Sequence, residues 1–297
     1  MAWGTRKLND GRELPEIGFG TWTAGSGQTV VDQVEQAIET GFNHIDTAQY
    51  YNNEYETGKG IKESSEHPWI TTKWSGKDNK GIRQSLQESL EYLGVKSVDL
   101  YLIHHPRLVN GDAPASWAEF EEIKKEGLVK SIGVSNFQIE DLESIRLAGE
   151  STPAVNQILL HPYVYSQTAP LLAYHATHNI VTEAYSSLYP ITHEKGGPLD
   201  KPLSKIAEKH SASEAGVLFA WARSKGAVIV TTSRQKSRLE DYLHSGDLEL
   251  SDKEIKQLDE AGGKFQAWKT KQKALKAVAW GLFAVEGLAL VRWWISR

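Results

Sequence analysis

The sequence predicts a (β/α)8 barrel, also called a TIM barrel, with a β-hairpin before it and an extra apolar helix after it. Short apolar strands alternate with amphipathic helices eight times along the chain. The 297 residues leave room for such a barrel, which commonly takes about 250 residues as one domain. The turn after the first strand, residues 18–23, lacks the glycine-rich fingerprint of a doubly wound open sheet. We therefore prefer the closed barrel to the open sheet.

Each element has a local signal. Asn9, Asp10 and Gly11 form the turn of a hairpin over residues 6–16, which is placed to plug one end of the barrel. The strands are short apolar runs, predicted at residues 17–20, 42–46, 69–73, 98–103, 129–134, 154–157, 180–184 and 227–231. The fourth strand is almost entirely apolar, as expected of a strand that is covered on both faces.

The helices show apolar stripes of helical period, and four of them end at glycines 41, 94, 127 and 149. They are predicted at residues 30–40, 54–63, 78–93, 116–126, 139–148 and 169–178, with Asp78 as the cap of the third. A longer loop over residues 186–202 precedes a seventh helix that runs through Trp221. Two short helices, residues 236–243 and 251–261, follow the last strand.

The composition excludes some classes of function. A net charge of −5 gives no reason to expect nucleic acid as a partner. The chain has no cysteine, so it has no disulfide framework and no thiolate metal site, and we predict no metal. Residues 1–9 contain no long apolar run, so we expect no signal peptide and a cytoplasmic protein.

The C-terminal part differs from the rest. We predict the barrel over residues 1–262 and, over residues 263–297, a basic linker followed by an apolar helix. Residues 274–295 would span about 33 Å as a helix, close to a bilayer core of about 30 Å. Glu286 lies near the middle and opposes insertion. Two interpretations are open: a segment packed on the barrel, or a tail that anchors a cytosol-facing barrel to a membrane.

Polar residues follow three neighbouring strands at the point where each strand ends. Asp46 ends the second strand, Lys73 the third, and His104 follows the fourth, while Tyr51 lies in the loop after Asp46. The carboxyl ends of barrel strands form one mouth, where the chemistry of such barrels takes place. Each residue alone has an ordinary structural explanation, such as a helix cap for Asp46 or a solvated surface lysine. Together they indicate a proton-donating site.

The charges suggest a mechanism. A lysine ammonium beside a phenol favours the phenolate and so lowers its pKa, and Asp46 can pair with the buried Lys73. Tyr51 would then donate a proton to a carbonyl oxygen that gains negative charge, and His104 would donate a hydrogen bond to the same oxygen. The hydride for the carbonyl carbon requires a nicotinamide cofactor.

At this point the sequence resembles a known family, the aldo-keto reductases, over residues 6 to about 262. Among its motifs it is most similar to the fungal-type NADPH-dependent ketone reductases. The matching segments are residues 18–22, 44–54, Lys73, 99–104, 132–137, 155–157 with 161–162, and 184–186. The resemblance implies a (β/α)8 barrel that reduces aldehydes or ketones with NADPH, and a catalytic tetrad of Asp46, Tyr51, Lys73 and His104 with Tyr51 as the acid. Tyr50 does not match the acid.

The resemblance also implies a set of cofactor-binding residues: Gly20, Thr21, Asp46, Ser135, Asn136, Gln157, Tyr185, Ser186, Leu188, Thr232, Ser233 and Arg238. In the family, the residues matching Ser135, Asn136 and Gln157 hold the nicotinamide carboxamide, and the residue matching Tyr185 stacks on the ring. Thr232 stands where many members have a lysine for the 2′-phosphate of NADPH, but Arg234 and Lys236 add charge nearby. We therefore prefer NADPH and leave NADH open.

The predicted substrate-binding residues are Trp22, Trp74, His104 and His105. His105 follows the tetrad histidine where many members have tryptophan, which makes the pocket wall more polar and able to titrate near neutral pH. We expect a small-molecule carbonyl substrate, an aldehyde or an activated ketone.

Three alternatives remain at this stage. A cofactor-sensing regulatory subunit would bind NADPH and turn over little, and the apolar tail is the feature that favours it. A barrel isomerase or aldolase would use Lys73 to form a Schiff base. Ser135 and Asn136 could merely cap the fifth helix, and Tyr185 could be rim packing.

Overall fold

A computed structural model describes residues 3–64, 66–109 and 111–275 of the chain. An antiparallel hairpin is formed by β1 (Thr5–Lys7) and β2 (Glu13–Pro15). Eight parallel strands then form a closed barrel: β3 (Ile17–Gly20), β4 (His44–Asp46), β5 (Trp69–Trp74), β6 (Val98–Ile103), β7 (Val129–Ser135), β8 (Val155–Leu159), β9 (Val181–Tyr185) and β10 (Val228–Thr231).

Helices surround this barrel. In chain order they are α1 (Gln28–Thr40), α2 (Glu54–Glu63), α3 (Ile82–Leu93), α4 (Ala113–Lys125), α5 (Ile139–Ala148), α6 (Pro162–Thr177), α7 (Tyr189–His193), α8 (Asp200–His210), α9 (Glu214–Ser224), α10 (Lys236–His244) and α11 (Asp252–Gly263). Strand-to-helix alternation with a fully parallel sheet confirms the predicted (β/α)8 barrel.

The barrel closes by pairing its last strand with its first. Ile229 of β10 is opposite Ile17 of β3, and the remaining strands pair with their neighbours in chain order. Because all eight strands run in the same direction, their carboxyl ends meet at one mouth. The site described below is built at that mouth.

The hairpin closes the opposite end, as predicted. Leu8 and Leu14 are buried in one apolar cluster with residues from inside the lower barrel. The other members of this cluster are Trp69, Leu100, Leu102, Ala154, Val155 and Val228. Water is therefore kept from the barrel interior at this end, and the polar mouth is left as its open end.

A second apolar layer lies between the strands and the helices. The rings of Tyr101 and Phe120 stack with centroids 4.9 Å apart, and Trp117 stacks on Phe120 at 6.1 Å. All three are fully buried. Aromatic packing of this kind fixes the helices against the strands and so holds the strand ends in place.

Gly41 ends α1 in the left-handed conformation with a φ of 118°, as the sequence indicated.

Three predicted helix boundaries were wrong. Asp78 lies in a short 3-10 turn with a φ of 57°, and the N-cap of α3 is Gly81. The predicted seventh helix is two helices, α8 and α9, because Ser211 between them has a φ of 50° and cannot continue a helix. The sixth helix begins at Pro162, well before the predicted residue 169, because proline is favoured in the first turn.

The chain continues as a helix over residues 265–275, beyond the predicted barrel boundary at residue 262. Phe265 stacks on Tyr163 with ring centroids 3.9 Å apart, and Lys269 forms an ion pair with Glu194 at 2.7 Å. The apolar stretch predicted at residues 274–295 lies outside the described residues from position 276 onward. Among the residues that are described, no helix has both the length and the apolar character needed to cross a bilayer.

Candidate active site

Lys73 lies at the centre of the site, near the end of β5. Its Nζ donates hydrogen bonds to Asp46 Oδ1 at 2.6 Å, to the Thr47 carbonyl oxygen at 2.9 Å and to the Tyr51 hydroxyl at 3.3 Å. Burial is the largest single influence and would lower the pKa of Lys73, but the charge and hydrogen bond of Asp46, together with Tyr51 and Glu183, outweigh it, and the pKa is raised. The amine is therefore a buried, fully charged ammonium held by three acceptors.

Tyr51 ends a short 3-10 turn, residues 49–51, that follows β4. Its oxygen accepts from Lys73, and among the described residues its own proton has no acceptor. Burial raises the pKa of Tyr51, and the nearby charge of Lys73 acts in the opposite direction. The predicted net lowering of this pKa is therefore wrong, because burial is the largest cause. At neutral pH the phenol keeps its proton, which is the state that a proton donor requires.

His104 follows β6 and faces the phenol. The rings of Tyr51 and His104 lie 5.7 Å apart at 75°. Burial, assisted by the charge of Lys73, lowers the pKa of His104 to about 3. The imidazole is therefore neutral at physiological pH. It can offer one hydrogen-bond donor, as the predicted role requires, but it cannot act as a cation.

The carboxyl group of Glu183 lies in the barrel near the ion pair of Lys73 and Asp46. Gln157 Nε2 donates to Asp46 Oδ2 at 2.8 Å and to Glu183 Oε2 at 2.5 Å. Both amide hydrogens of Gln157 are thus used inside the barrel, which leaves its Oε1 as the free acceptor. Burial and the charge of Asp46 raise the pKa of Glu183 to about 8. Sequence reasoning missed Glu183, although its position two residues before Tyr185 on a predicted strand was a usable signal.

The residues predicted to hold the nicotinamide carboxamide lie side by side. Ser135 pairs with Gln157 in the strand register, and Ser135 Oγ donates to the Gln157 carbonyl oxygen at 2.9 Å. Asn136 has a φ of 64°, and its Nδ2 donates to the His104 carbonyl oxygen at 3.1 Å. Tyr185 OH donates to Asn136 Oδ1 at 2.8 Å. Neither Ser135 nor Asn136 caps α5; that helix begins with a capping box at Gln138.

The turn after β9 contains an unpaired buried hydroxyl. Ser186 has a φ of 56°, and Leu188 is the N-cap of α7. Ser187 between them is 3% exposed, and its Oγ has no hydrogen-bond partner in the described structure. A buried hydroxyl without a partner is costly unless a ligand supplies one. Ser186 and Leu188 were predicted to bind the cofactor, and the unpaired hydroxyl of Ser187 lies between them in the chain.

The segment after β10 carries exposed cations. Ser233 Oγ accepts from the Gln235 backbone N–H at 3.1 Å, while Thr232 is half-buried. Arg238 is exposed on α10, and Arg234 reaches across to the Thr23 carbonyl oxygen at 3.2 Å. The positive side chains therefore lie at the rim, where an extended anionic ligand would end.

Gly20 and Thr21 close the rim between β3 and β10. A Cβ on Gly20 would lie 2.9 Å from Val230 Cγ1, so the strands approach closely here. Thr21 is fully buried, and its hydroxyl bonds with Thr47 at 3.0 Å, so its side chain is used within the protein. We therefore attribute to these two residues the shape of the rim.

Aromatic rings surround the mouth. Trp22 is 58% exposed and contacts Tyr51 edge-on at 4.9 Å. Tyr50, which was not among the predicted residues, stacks on Trp22 at 5.8 Å. The exposed indole and phenol can form an apolar wall beside the phenolic hydroxyl of Tyr51.

The other two predicted substrate residues are placed differently. Trp74 is only 7% exposed, and its Nε1 donates to the Lys80 carbonyl oxygen in the layer beneath α3. Lys73 points into the barrel, so the next residue points outward, and Trp74 does not form the pocket wall that we predicted. His105 lies at the rim, where burial and then the charge of Arg107 lower its pKa from the ordinary value for histidine.

Within the described ranges, no group of three or more histidine and acidic side chains could hold a metal ion. The side chains described above supply hydrogen-bond donors, one buried ion pair and a neutral imidazole at the mouth.

Comparison with known proteins agrees with this geometry. The sequence profile of the aldo/keto reductase family matches residues 16–262. The chain is 38% identical over 255 residues to the methylglyoxal reductase DkgA of Escherichia coli (strain K12), covering 84% of this chain and 90% of that protein. It is 35% identical over 266 residues to an NAD/NADP-dependent indole-3-acetaldehyde reductase of Schizosaccharomyces pombe, covering 85% and 93%.

Solved structures give the same result. A crystal structure of an aldo/keto reductase from Brucella melitensis superimposes with a TM-score of 0.79 at 36% identity, covering 86% of this chain and 97% of that one. The family profile spans most of the chain, the relatives are aligned over most of their own length, and the fold is shared. The chain therefore belongs to the aldo/keto reductase family of oxidoreductases.

Proposed function

We propose that the chain reduces aldehydes and activated ketones to alcohols with NADPH, and that Tyr51 donates the proton. The observation that carries the proposal is the contact between the charged Nζ of Lys73 and the hydroxyl of Tyr51 at 3.3 Å, at the open mouth of the barrel. A carbonyl oxygen above the Tyr51 hydroxyl could accept the phenolic proton, because no group in the described structure already accepts it.

The residues at the mouth fit a nicotinamide dinucleotide. Gln157 has both amide hydrogens engaged, so its Oε1 is left to accept from a carboxamide. Tyr185, which is bonded to Asn136, offers a flat ring for the nicotinamide, and the unpaired hydroxyl of Ser187 would donate to a phosphate oxygen. When bound, the cofactor supplies the hydride that is added to the carbonyl carbon.

The side chains then divide the work. Tyr51 transfers its proton to the oxygen, and Lys73 stabilises the phenolate that remains, since its cation is 3.3 Å away. Asp46 keeps Lys73 charged through a hydrogen bond of 2.6 Å. His104 donates a hydrogen bond to the same oxygen and orients it, and Trp22 with Tyr50 contacts the apolar part of the substrate.

The preference for NADPH is supported by charge. Arg234, Lys236 and Arg238 are exposed at the rim after β10, and an arginine can bind a phosphate through two hydrogen bonds. The replacement of the usual lysine by Thr232 weakens this preference, and the Schizosaccharomyces pombe relative is named for both cofactors. We therefore expect faster turnover with NADPH and measurable turnover with NADH.

Two alternatives are weaker. A Schiff-base enzyme needs a neutral lysine, whereas Lys73 is fully buried and its pKa is raised. A regulatory subunit that turns over little was favoured only by the apolar tail, and that tail lies outside the described residues. The intact proton-donating site favours turnover.

The substitution Tyr51→Phe tests the proposal. It should lower kcat with methylglyoxal or another reactive aldehyde by about 10²-fold or more, because general acid catalysis typically contributes that much. The assay follows the loss of reduced-cofactor absorbance with NADPH and, separately, with NADH.

Tyr50→Phe is the matched control, since it removes the neighbouring hydroxyl and keeps the ring; kcat should stay within a few fold of the native value. Retention of full activity by Tyr51→Phe would refute the assigned proton donor. Absence of turnover with a broad panel of carbonyl compounds, despite NADPH binding, would favour the regulatory subunit.

A further inference from the structure

Ser75 lies against the Nδ1 edge of the His104 ring. Ser75 follows β5, and its Oγ is 2.8 Å from His104 Nδ1. Neither the motifs nor the strand-end pattern singled it out. The contact matters because His104 must present a donor to the substrate, and a neutral imidazole has one N–H to offer.

The position of Ser75 is fixed by buried groups. Its backbone N–H donates to Gln49 Oε1 at 3.1 Å, and Gln49 Nε2 donates to Ser85 Oγ at 3.0 Å. Gln49 is 7% exposed and begins the turn that carries Tyr51. The hydroxyl of Ser75 is therefore held in register with both the phenol and the imidazole.

The available hydrogen-bond partners decide the direction of the contact. Among the described residues, the Ser75 hydroxyl has one polar side-chain partner, His104 Nδ1. If Nδ1 carried the proton, Ser75 would accept, and its own proton would have no acceptor in the described part of the chain. If Ser75 donates, Nδ1 is the acceptor and the ring proton must be on Nε2. Nε2 has no partner among the described residues and is not a buried unpaired atom, so it is open to the mouth.

We propose that Ser75 is a positioning residue that holds His104 in the tautomer with its proton on Nε2, so that the ring donates a hydrogen bond to the carbonyl oxygen of the substrate. The proposal deepens the proposed reductase function and rests on it. His104 would otherwise exchange between two tautomers, and in one of them it would present a lone pair to the carbonyl oxygen, which repels it.

The direct test is the tautomer itself. Protein labelled with 15N-histidine is measured at pH 7 by long-range proton–nitrogen NMR, and the His104 signals are identified by their loss in His104→Gln. We expect a protonated Nε2 and an unprotonated Nδ1 in the native chain. Ser75→Ala should produce a mixture of the two tautomers, and Ser75→Thr, which keeps the hydroxyl, should restore the native signals.

Turnover gives the second measurement. Ser75→Ala should lower kcat/KM for an aldehyde roughly tenfold, because a lost hydrogen bond of ordinary strength costs about 1.4 kcal/mol. The Kd for NADPH should stay unchanged. Ser75→Thr should recover most of the loss. Ser144→Ala removes an exposed hydroxyl on α5 and should change neither the tautomer nor kcat/KM.

The outcomes separate this proposal from the function on which it rests. A native His104 with its proton on Nδ1 overturns the role of Ser75, whatever the activity. An unchanged tautomer in a folded Ser75→Ala chain, confirmed by circular dichroism, does the same. A native chain that reduces no carbonyl compound refutes the reductase, and the NMR signals then still decide whether Ser75 sets the tautomer.

Discussion

Glu183 shows how the number of charged side chains inside the barrel is kept small. It is fully buried on β9 and shares the amide of Gln157 with Asp46. Burial and the charge of Asp46 raise the pKa of Glu183 to about 8, while burial, assisted by the charge of Lys73, lowers that of the adjacent His44 to about 3. At neutral pH both groups are therefore uncharged, and the ion pair of Lys73 with Asp46 is not disturbed by further charges beneath it.

Glu183→Gln should flatten the pH dependence of stability between pH 5 and pH 8. In this window the unfolded chain has released the proton of Glu183, whereas the folded chain retains it. Stability of the native chain therefore falls as pH rises, by at most about 1.4 kcal/mol per pH unit from this group. Glutamine cannot ionise, so the variant should lack this contribution. Urea unfolding at pH 5, 6, 7 and 8 measures the difference, and identical slopes in the two proteins would contradict the assigned pKa.

At the residue scale, the strand-end pattern placed polar side chains at one mouth, where the structure has them, and their catalytic roles stay a prediction. Asp46, Lys73 and His104 follow successive strands, and the register brings them together. Trp74 was misassigned, although the alternation of side chains along a strand would have corrected it. The pKa of Tyr51 could not be predicted, since its direction depends on how deeply the phenol is buried. Ser75 could not be predicted either, because its contact with His104 joins the loops after β5 and β6, whose paths the sequence pattern does not specify.

At the scale of elements, the close approach of neighbouring strands depends on a glycine. Gly133 of β7 lies between β6 and β8, and an added Cβ would be 2.6 Å from the Val155 carbonyl oxygen and 2.8 Å from Leu102 Cδ2. The backbone atom cannot move without breaking the ladder of β8. The same strand ends in Ser135, so its position also sets the cofactor edge.

Gly133→Ala should destabilise the chain by about 1–3 kcal/mol, the usual cost of overpacking a core. Gly263→Ala is the control, since a Cβ at that helical position meets nothing within 4 Å and should be neutral or slightly stabilising. The midpoint of urea unfolding compares both variants with the native chain. A neutral Gly133→Ala would mean that β7 and β8 can separate without loss.

Element types were predicted better than element ends. Gly41 ended its helix as expected, because a left-handed glycine after an apolar stripe is a local signal. The break at Ser211 has no glycine or proline to mark it, so two helices were predicted as one. The start of α6 at Pro162 was predicted too late, at residue 169. Local signals for both starts were nevertheless present, since Pro162 lies in the first turn of α6 and Ser213 caps α9.

At the scale of the whole molecule, the folded core extends past the end of the family match. The family profile ends at residue 262, but Phe265 is 8% exposed and belongs to the main apolar core. Its ring covers Tyr163 at the start of α6, and Lys269 pairs with Glu194 beside α7. The predicted division at residue 262 therefore passes through a packed contact.

A chain that ends at residue 262 should be less stable by about 3 kcal/mol or more than a chain that ends at residue 275, which keeps these contacts. Removal of a buried phenylalanine has this cost, and it would leave Tyr163 uncovered. Phe265→Ala in the chain ending at residue 275 is the matched variant. Equal stability of both shortened chains would show that Phe265 contributes nothing.

Whether residues 274–295 anchor the protein to a membrane stays a prediction. Flotation of the full and shortened chains with lipid vesicles tests it.

Closure of the barrel also has a consequence for biosynthesis. β3 pairs with β10, and the two strands are about 210 residues apart in the chain. At a synthesis rate of 5–20 residues per second, the free edge of β3 waits roughly 10 to 40 s on the ribosome for its partner. Throughout that interval the nascent chain exposes a row of amide groups that lack a strand partner. Biosynthesis of this protein therefore requires early shielding of the β3 edge.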